Sequence, residues 1–371
     1  MSEEVVIIGN SFSGLGTAIA CAKHGYQVTV IAPNNHSSFI GGLQIAPNGL
    51  AALSSLGVEQ EILNKAVRLL AVHIKAFDTA VSLTNIPLSS NNAPYVSIAR
   101  QNLCEILLNK CLTNSLIKFM DARVLAITSK NNHTRLALDN GEIITAPIII
   151  GADGWDGKTR HFVSPSARQK NSGYSIYRGI FPASKVPAGF SYPDVQLWLG
   201  NSCHLVSYPI QNSQAVNFVF AFSERAFESH SIDAIFCNHP VLSMLGEYIQ
   251  NWHLTPIKQF DSLSNWRRGG ITLIGDAAHP MPPHLAQGAG QSFMDVASIE
   301  NGLGTGLTLS NAISNMITTR MPEAHSVVKK SQLSGNIFRL NNPIAGLRNQ
   351  LISMAGQKVI SDFLQDLWLT A

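Results

Sequence analysis

The sequence predicts an α/β fold in which a mostly parallel sheet is interleaved with a second, strand-rich layer and followed by C-terminal helices. Three short runs rich in Val and Ile, at residues 5–8, 143–150 and 271–274, lead to this prediction. Runs of this kind are expected for strands buried on both faces, and each ends at a glycine, which is a turn signal. Asp153 follows the second run and Asp276 the third. Ligands of open α/β sheets bind at the carboxyl ends of strands, so these two acids predict a binding site.

Size and composition set the broad class. A chain of 371 residues exceeds a usual single domain, so we expect two domains or one domain with a large insertion. Hydrophobic residues make up 45% and charged residues 13%, which indicates an ordered globular protein. The net charge of +3, without runs of Lys or Arg, argues against nucleic acid as a partner. No apolar run resembles a signal peptide or a membrane span, so we expect a cytoplasmic protein.

The cysteines give no sign of a metal site. They show neither CxxC spacing nor another metal-ligand pattern, and their number is odd. We therefore predict reduced, structural thiols and no bound metal. The five residues are Cys21, Cys104, Cys111, Cys203 and Cys237.

The N-terminus has the βαβ pattern of a Rossmann-like dinucleotide-binding domain. A strand at 5–8 and a strand at 27–31 flank a helix from about 13 to 24. The turn between contains Gly9 and Gly14, which admit a pyrophosphate at the helix N-terminus. Two positions depart from the pattern. Ser11 replaces the middle glycine, and Ala32 stands where an acid for the adenosine ribose is expected, which predicts weaker binding of the adenosine half.

Arg100 is predicted to begin an amphipathic helix, after a segment at 72–98 that alternates as strands do. A helix dipole disfavours a cation at this position. Contact with a ligand phosphate or with the edge of a flavin therefore explains Arg100 better than a surface charge does.

Three antiparallel strands are predicted next, at 122–129, 135–139 and 143–150, with an Asn-Gly hairpin turn before the third. The third strand leads directly into Asp153 and Gly154. One Asp-Gly pair is common turn chemistry. This chain begins with a βαβ unit and has two acids that each follow a buried strand and a glycine. Chance explains two such acids less well than it explains one.

The second such acid lies in the stretch 270–291. A buried strand ends at Gly275 and Asp276, prolines stiffen the following turn, and a helix begins near Gly288, Ala289 and Gly290. An acid for a sugar hydroxyl and a positive helix end suit a nucleotide whose ring gains negative charge, such as reduced flavin. The alternative is an ordinary strand-turn-helix with Asp276 as the helix cap.

Residues 172–260 are strand-rich and aromatic, which predicts a sheet that covers this site. Most of the aromatic residues are expected to fill the core. We interpret His204 as structural rather than as a base. The candidates for the substrate pocket, each with a polar tip on an apolar body, are Tyr177, Arg178, Trp198, His204 and Tyr208.

Three motifs in this order resemble the single-component FAD-dependent aromatic hydroxylases, which include salicylate and polyprenyl-methoxyphenol hydroxylase-like flavoprotein monooxygenases. They span residues 9–14, 151–160 and 275–290, and the segment 338–349 also resembles the C-terminal helices of that family. The chain departs from the family at Ser11, Ala32 and Gly157, the last being usually a serine.

The resemblance implies a role for each motif. The first would hold the FAD pyrophosphate, the second would meet FAD and the nicotinamide cofactor, and the third would bind the ribityl chain. Arg100 matches an arginine that contacts the flavin, and the helix near Gly288 would stabilise charge on the reduced ring. The implied cofactor residues are Gly9, Ser11, Gly14, Arg100, Asp153, Gly154, Gly275, Asp276, Gly288, Ala289 and Gly290.

The implied activity is hydroxylation of a small aromatic or fused-ring substrate with NAD(P)H and O₂, through a C4a-hydroperoxyflavin. The alternative is a degenerate member that binds flavin or a small molecule without turnover, because Ser11 and Ala32 depart from the FAD motif. Flavin halogenation or epoxidation is a weaker alternative, since the WxWxIP signature of halogenases is absent. No residue is predicted as the catalytic base.

The domains are predicted to be discontinuous. The FAD-binding domain would comprise 1–71, 99–170 and 266–335, the substrate domain 72–98 and 171–265, and the C-terminal helices 336–371. Within 344–369, apolar residues at 347, 351, 355, 359, 363 and 367 recur on one side. Packing against the flavin domain, or a dimer seam, explains them better than a membrane surface, because the polar side has little positive charge. We expect a monomer or a homodimer.

Overall fold

The computed structural model describes residues 4–33, 41–88, 94–130, 133–227, 232–236, 239–246 and 252–369. In chain order, the β-strands are β1 Glu4–Ile8, β2 Gln27–Ile31, β3 Gly42–Ile45, β4 Val67–Leu69, β5 Ala71–Ala76, β6 Ser82–Pro87, β7 Tyr95–Ala99, β8 Ile117–Met120, β9 Val124–Lys130, β10 His133–Leu138, β11 Ile143–Ala146, β12 Ile148–Gly151, β13 Gln169–Pro182, β14 Asp194–Leu199, β15 Cys203–Ile210, β16 Ala215–Ser223, β17 His253–Phe260, β18 Arg267–Arg268 and β19 Ile271–Leu273. The α-helices are α1 Phe12–Lys23, α2 Pro47–Ser54, α3 Glu59–Lys65, α4 Arg100–Leu112, α5 Lys158–Val163, α6 Ile232–Phe236, α7 Gly288–Gly304, α8 Leu309–Phe338 and α9 Ile344–Leu369.

The N-terminal βαβ unit builds the centre of a six-stranded sheet, ordered β18-β19-β12-β1-β2-β8. Strand β1 pairs in parallel with β2 on one side and with β12 on the other, and β12 pairs in parallel with β19. Their apolar residues are buried between helices, as continuous Val and Ile runs require. The carboxyl ends of β1, β12 and β19 therefore lie side by side, which brings the three turn motifs together. The predicted α/β fold is confirmed.

The predicted strand at 143–150 is two strands. Residues Ile143–Ala146 pair with β10 in a three-stranded antiparallel sheet, whereas Ile148–Gly151 join the parallel sheet beside β1. Pro147 separates them. A proline has no amide hydrogen for the ladder, so it stands where the chain leaves one sheet for the next.

A seven-stranded sheet, ordered β17-β13-β16-β15-β14-β5-β6, forms the second layer. Side chains alternate between its two faces. One face carries an aromatic core that includes Trp198, Phe218 and Phe220. The other face is directed toward the six-stranded sheet and forms one wall of the cleft described below.

Two long helices end the chain. Helix α8 runs through the domain boundary predicted at residue 336, so that boundary falls inside a helix. Helix α9 lies against β6, and its start is held by Arg348, which donates to the carbonyls of Phe338 at 2.6 Å and Gly200 at 3.1 Å. Within the ranges given above, none of the helices is both long enough and apolar enough to cross a membrane.

The predicted apolar stripe of α9 is largely exposed. Leu347, Leu351 and Val359 are more than half exposed, whereas Leu367 is buried. The face that packs on the protein is offset from that stripe and includes Ala345, Ile352, Ile360 and Leu364. Between Leu347 and Val359 the stripe therefore does not pack on the rest of the chain, and the alternative expectation, a dimer seam, stays a prediction. The division into domains remains a prediction.

Four of the five cysteines are buried free thiols, namely Cys21, Cys104, Cys111 and Cys203. Burial raises the pKa of Cys21 and of Cys111 to about 12, as expected for structural thiols. Cys237 lies outside the described residues.

Candidate cofactor and active site

A cleft of about 680 Å³ lies where the carboxyl ends of β1, β12 and β19 face the seven-stranded sheet. Residues from the three turns after these strands line one wall. The first residues of α7 and the exposed face of β13–β17 line the others. The cleft therefore joins the sequence motifs to the strand-rich layer.

The turn after β1 is closely packed against the turn after β12. Gly9 has a positive φ of 105°, and a Cβ there would lie 2.4 Å from the carbonyl oxygen of Ala152. Ser11 caps α1: its Oγ accepts from the amide of Gly14 at 3.3 Å and donates to the carbonyl of Ala152 at 2.8 Å. Ser11 thus stands in place of the usual middle glycine, and its hydroxyl forms a hydrogen bond that links the first two motifs. It also lines the cleft.

Asp153 is turned away from the cleft. Its carboxylate accepts hydrogen bonds from the amide of Thr159 at 3.0 Å and from the Thr159 hydroxyl, at the start of α5. Burial raises the pKa of Asp153, although the bonds from Thr159 oppose this shift. The neighbours Ala152 and Gly154 line the cleft instead. In this structure the turn thus presents backbone to the cleft, and the Asp153 carboxylate bonds Thr159 in the first turn of α5; a contact of Asp153 with the cofactor stays a prediction.

Gly157 explains why the acid lies there. A Cβ at Gly157 would be 2.1 Å from Cγ of Asp153, so the carboxylate occupies the space that a side chain would need. The departure from serine at this position has a structural reason, because only glycine leaves room for the observed Asp153.

Asp276 is exposed and lines the cleft, as predicted for a ligand-binding acid. It sits in a short 3₁₀ turn that begins at Gly275, whose φ is +57°. A Cβ at Gly275 would lie 2.6 Å from the hydroxyl of Ser13 and 2.9 Å from that of Ser292. The glycine lets the turn pass between α1 and α7.

A buried charge network holds this turn. The carboxylate of Asp295, in α7, accepts from the Gly275 amide at 3.0 Å, from His279 Nε2 at 2.6 Å and from Arg320 Nε at 3.2 Å. Burial alone would raise the pKa of Asp295, but His279 and then Arg320 and the Gly275 amide lower it below its ordinary value. The acid is therefore ionised and fixes both ends of the 275–279 turn.

Arg160 ties the second motif to the third. Its Nη1 donates to the carbonyls of Ala277 at 2.8 Å and Ala278 at 3.3 Å. Burial lowers the pKa of Arg160 to about 10. The guanidinium thereby satisfies two carbonyls of the turn that presents Asp276.

The N-terminus of α7 faces the cleft through Gly288 and Ala289. Its free amides and positive dipole end favour negative charge there. Gly290 does not line the cleft. A Cβ on Gly49 would lie 2.9 Å from the Cα of Gly290, so this glycine serves the close packing of α2 on α7.

Arg100 is the first residue of α4, as predicted, and lines the cleft with its guanidinium 5.4 Å from the ring centre of Phe12. Arg178 lines the same cavity from β13. Burial, and then the charge of Arg100, lower the pKa of Arg178. Burial raises the pKa of Tyr208, although both arginines oppose this shift, so the phenol is neutral.

The five substrate-pocket candidates divide by face of the sheet. Arg178, His204 and Tyr208 line the cleft. Tyr177 stacks on Phe222, with ring centres 5.4 Å apart, and Trp198 is only 1% exposed within the aromatic core of the opposite face. Strand alternation places neighbours such as 177 and 178 on opposite faces. Tyr177 and Trp198 are therefore core residues and not pocket residues.

His204 forms a cluster with His284 and Arg339, and both histidines line the cleft. The two imidazole rings lie 5.2 Å apart, and Arg339 Nη1 donates to His284 Nε2 at 3.0 Å. Burial, His284 and Arg339 lower the pKa of His204 well below its ordinary value. Burial and then Arg339 lower that of His284 to about 3. Both rings are neutral, so His204 is a poor base.

Sequence reasoning assigned no role to Asp295, Arg320 or Arg339. The sequence pattern gave only weak signs of the roles of these three residues. Asp295 and Arg320 are charged residues on otherwise apolar faces of helices, which marks a buried ion pair only once the neighbouring helix is known. Arg339 lay inside the C-terminal segment of the family resemblance, but nothing in the pattern predicted its contact with His284.

A βαβ unit and two strand-end glycine turns around one cleft define a dinucleotide-binding protein. Residues 2–331 match the family described as FAD binding domain. The chain belongs to that family, and the resemblance to FAD-dependent aromatic hydroxylases, which are oxidoreductases, is confirmed.

Two curated relatives match nearly the whole chain. A 3-hydroxybenzoate 6-hydroxylase of Aquipseudomonas alcaligenes is 26% identical, over 98% of this chain and 96% of its own. A 3-amino-4-hydroxybenzoate 2-monooxygenase of Streptomyces platensis is 29% identical, over 95% of this chain and 92% of its own.

Solved structures share the fold. Klebsiella pneumoniae HpxO, complexed with FAD and uric acid, superposes with a TM-score of 0.85 at 17% identity, over 100% of this chain and 97% of its own. A salicylate hydroxylase in complex with substrate has a TM-score of 0.79 at 19% identity, over 100% of this chain and 98% of its own.

The residues around the cleft fit FAD. A Cβ on Gly154, whose φ is +83°, would meet nothing within 4 Å, and one on Gly288 would meet nothing closer than 3.7 Å. The backbone is therefore open to a close-lying ligand at both turns. The exposed Asp276 carboxylate and the N-termini of α1 and α7 supply an acceptor for a hydroxyl and donors for anionic groups.

We predict that Asp295→Asn destabilises the protein by about 3 kcal/mol, because it leaves the guanidinium of Arg320 without its buried counter-charge and weakens the hydrogen bond to His279. Urea unfolding measures the loss. Asp156→Asn, at an exposed acid beside α5, is the matched control and is expected to change stability by less than about 0.5 kcal/mol. Equal effects at both positions would contradict the role given to Asp295.

The same network predicts a pH dependence. Because the pKa of Asp295 is lowered in the folded state, its stabilisation is present above the unfolded value of about 3.9 and is lost as the pH falls through the folded pKa. The stability advantage of the wild type over Asp295→Asn should shrink below about pH 4. Urea titrations from neutral to acidic pH test this, and an undiminished advantage in acid would refute it.

Proposed function

We propose that the protein is an FAD-dependent monooxygenase that uses NAD(P)H and O₂ to hydroxylate a small aromatic or fused-ring substrate. One observation carries the proposal. A single cleft joins the three cofactor motifs to the face of the seven-stranded sheet that presents Arg178 and Tyr208. A ring held at the motifs and a substrate on the sheet would therefore share one cavity, as oxygen transfer between them requires.

The cofactor residues follow from the positions described above. The turn after β1 and the N-terminus of α1 would hold the pyrophosphate, and Asp276 would accept a hydrogen bond from a hydroxyl of the ribityl chain. Arg100 and the first amides of α7 would lie at the flavin. When bound, FAD supplies the redox chemistry, namely acceptance of a hydride from NAD(P)H and delivery of one oxygen atom of O₂ to the substrate.

The protein contributes electrostatics at the ring. The positive end of α7 would stabilise negative charge on the reduced flavin by up to ~2 kcal/mol in a partly buried site. The Asp295 network keeps the 275–279 turn, and with it Asp276, in a fixed position relative to α7. The orientation is thus set before the cofactor binds, so little reorganisation is needed.

The substrate side combines a few polar groups with apolar walls. Tyr208 is a neutral phenol that can donate to a substrate oxygen, and Arg178 is a cation that attracts a phenolate or carboxylate. Apolar residues of β14 and β15, including Leu197 and Val206, surround them and exclude water. The names of the relatives, which act on substituted hydroxybenzoates, support an electron-rich ring as the substrate.

A screen of aromatic compounds tests the function. We expect FAD-loaded protein to consume NADH or NADPH faster in the presence of one or more substituted phenols, with a product that has gained one oxygen atom by mass spectrometry. Tyr208→Phe should reduce the stimulation, because the ring loses its hydrogen-bond donor. Protein that binds no FAD, or that consumes NAD(P)H without any oxygenated product across the screen, would refute the proposal.

The second candidate is a member that binds flavin without turnover, since Ala32 occupies the position of the ribose acid. Ala32 follows β2, next to the turn that Gly9 begins, and is buried. From sequence, Ser11 also supported this candidate. In the structure its hydroxyl joins two of the cofactor motifs, so Ser11 is no longer a reason to expect weak flavin binding.

FAD titration separates the two candidates. Ala32→Glu should tighten FAD binding by about tenfold if a charge-assisted bond to the ribose is missing, and Asp276→Ala should weaken it by a similar factor. Asp156→Ala, an exposed acid outside the cleft, serves as the control and should leave the affinity unchanged. Wild-type affinity in the range of active flavoproteins, with no gain from Ala32→Glu, would remove the reason for the second candidate.

A further inference from the structure

The side chain of Gln44, in β3, is directed toward the seven-stranded sheet. Successive residues of a strand point to opposite faces. Leu43 and Ile45 pack on the core of the six-stranded sheet, whereas a Cβ at Gly42 would lie 2.7 Å from Cε2 of Tyr208. Gln44 shares the face of Gly42 and lines the cleft. Its amide therefore lies on the side of the cavity that belongs to the substrate layer.

Tyr95 fixes the direction of this amide. Its hydroxyl donates to Oε1 of Gln44 at 3.1 Å. Burial, and then the nearby Tyr208, raise the pKa of Tyr95, so the phenol keeps the proton that it donates. With Oε1 engaged as an acceptor, Nε2 and its two hydrogens take the other position. Gln44 is only 9% exposed, yet none of the described residues accepts a hydrogen bond from its Nε2. A buried amide nitrogen without an acceptor indicates a ligand or water atom at this point.

The last turn of α9 holds Tyr95 in place. The indole of Trp368 lies against the Tyr95 ring, with ring centres 5.1 Å apart, and both rings line the cleft. Asn48, in α2, anchors this turn because its Nδ2 donates to the carbonyl of Leu367 at 3.1 Å. Tyr95 thus has little freedom to move, and the amide of Gln44 keeps the direction that the phenol gives it.

Arg178 and Tyr208 lie beside the residues that begin β3. A Cβ at Gly41 would be 4.0 Å from Cδ of Arg178, and Tyr208 is closer still to the next residue. A guanidinium and an amide nitrogen only donate, and a phenol can donate. Among the described residues that line the cleft, the one carboxylate is that of Asp276, at the cofactor turn. The groups around Gln44 therefore suit a ligand oxygen that carries no hydrogen.

We propose that Gln44 is a specificity-determining residue that donates from Nε2 to a carboxylate or carbonyl oxygen on the substrate ring, and that Tyr95 is the residue that positions it. This proposal rests on the function proposed above and specifies one contact of the same site. A substituent that only donates, such as an ammonium group, has no acceptor at Gln44. A hydroxyl gains a weaker hydrogen bond than a carboxylate does, because its oxygen is uncharged.

Titration of the FAD-loaded full-length protein with the three hydroxybenzoates and the corresponding hydroxybenzyl alcohols tests this contact. Flavin absorbance reports binding without turnover. Gln44→Leu should weaken binding of the tightest-binding acid about tenfold, because a hydrogen bond to a charged group is lost, and should weaken that of its alcohol only about threefold or less. An equal loss for acid and alcohol, or no loss, would overturn the proposal. A wild-type protein that binds none of the acids would overturn it as well.

Tyr95→Phe tests the orientation of the amide. The variant removes a single oxygen atom, so it keeps the test open even if Gln44→Leu does not fold. Without the phenol, the amide of Gln44 can turn its Oε1 toward the ligand. The preference for the acid over the alcohol should therefore fall about threefold or more. A loss of stability with an unchanged preference would show that Tyr95 is only structural and would overturn its positioning role.

A control and a cofactor titration complete the test. Gln60→Leu is the matched control, since Gln60 is exposed on α3 and lies outside the lining of the cleft, and it should change none of these affinities. FAD titration of the apoprotein tests the other ligand. If Gln44→Leu weakens FAD binding as much as it weakens acid binding, Nε2 serves the cofactor and the proposal is overturned. The proposed function fails separately, on absence of oxygenated product, whereas absorbance reports the preference for the acid whether or not turnover occurs.

Discussion

The geometry of the site depends on one buried carboxylate. Asp295 accepts hydrogen bonds from the backbone of Gly275 and from His279, while Arg320 balances its charge. Because α7 carries Asp295 and also presents its N-terminus to the cleft, the same helix fixes the 275–279 turn and supplies the positive end beside it. The bonds of this one residue therefore fix the position of the exposed acid Asp276 relative to the N-terminus of α7.

Much of the fold could be predicted because strand periodicity and turn chemistry are local. The runs that end at Gly9, Gly151 and Gly275 are neighbouring parallel strands, and Arg100 begins its helix as the pattern indicated. The antiparallel strand predicted through Pro147 is wrong since the pattern of apolar residues continues across a point where the chain changes sheets. The proline was the available sign, and apolar periodicity outweighed it.

The site was less predictable because it depends on side-chain direction across long separations. Tyr177 and Arg178 are adjacent in sequence, yet only the second faces the cleft. The face of the seven-stranded sheet that lines the cleft is the one that packs toward the six-stranded sheet. Local sequence patterns do not encode which face this is. The same reason applies to α9: an apolar stripe identifies a helix face, but the face that packs is offset by about one residue, and Leu347, Leu351 and Val359 of the stripe are exposed.

The close approach of residues 153 and 157 couples the two positions. With a Cβ at 157 only 2.1 Å from Cγ of Asp153, any side chain larger than hydrogen displaces the carboxylate from its place at the start of α5. A β-carbon at position 157 and the carboxylate of Asp153 therefore cannot both occupy their present places, so a substitution at Gly157 must move one of the two. The bonds that hold the start of α5 to the turn after β12 thus depend on the absence of a single β-carbon four residues downstream of the acid.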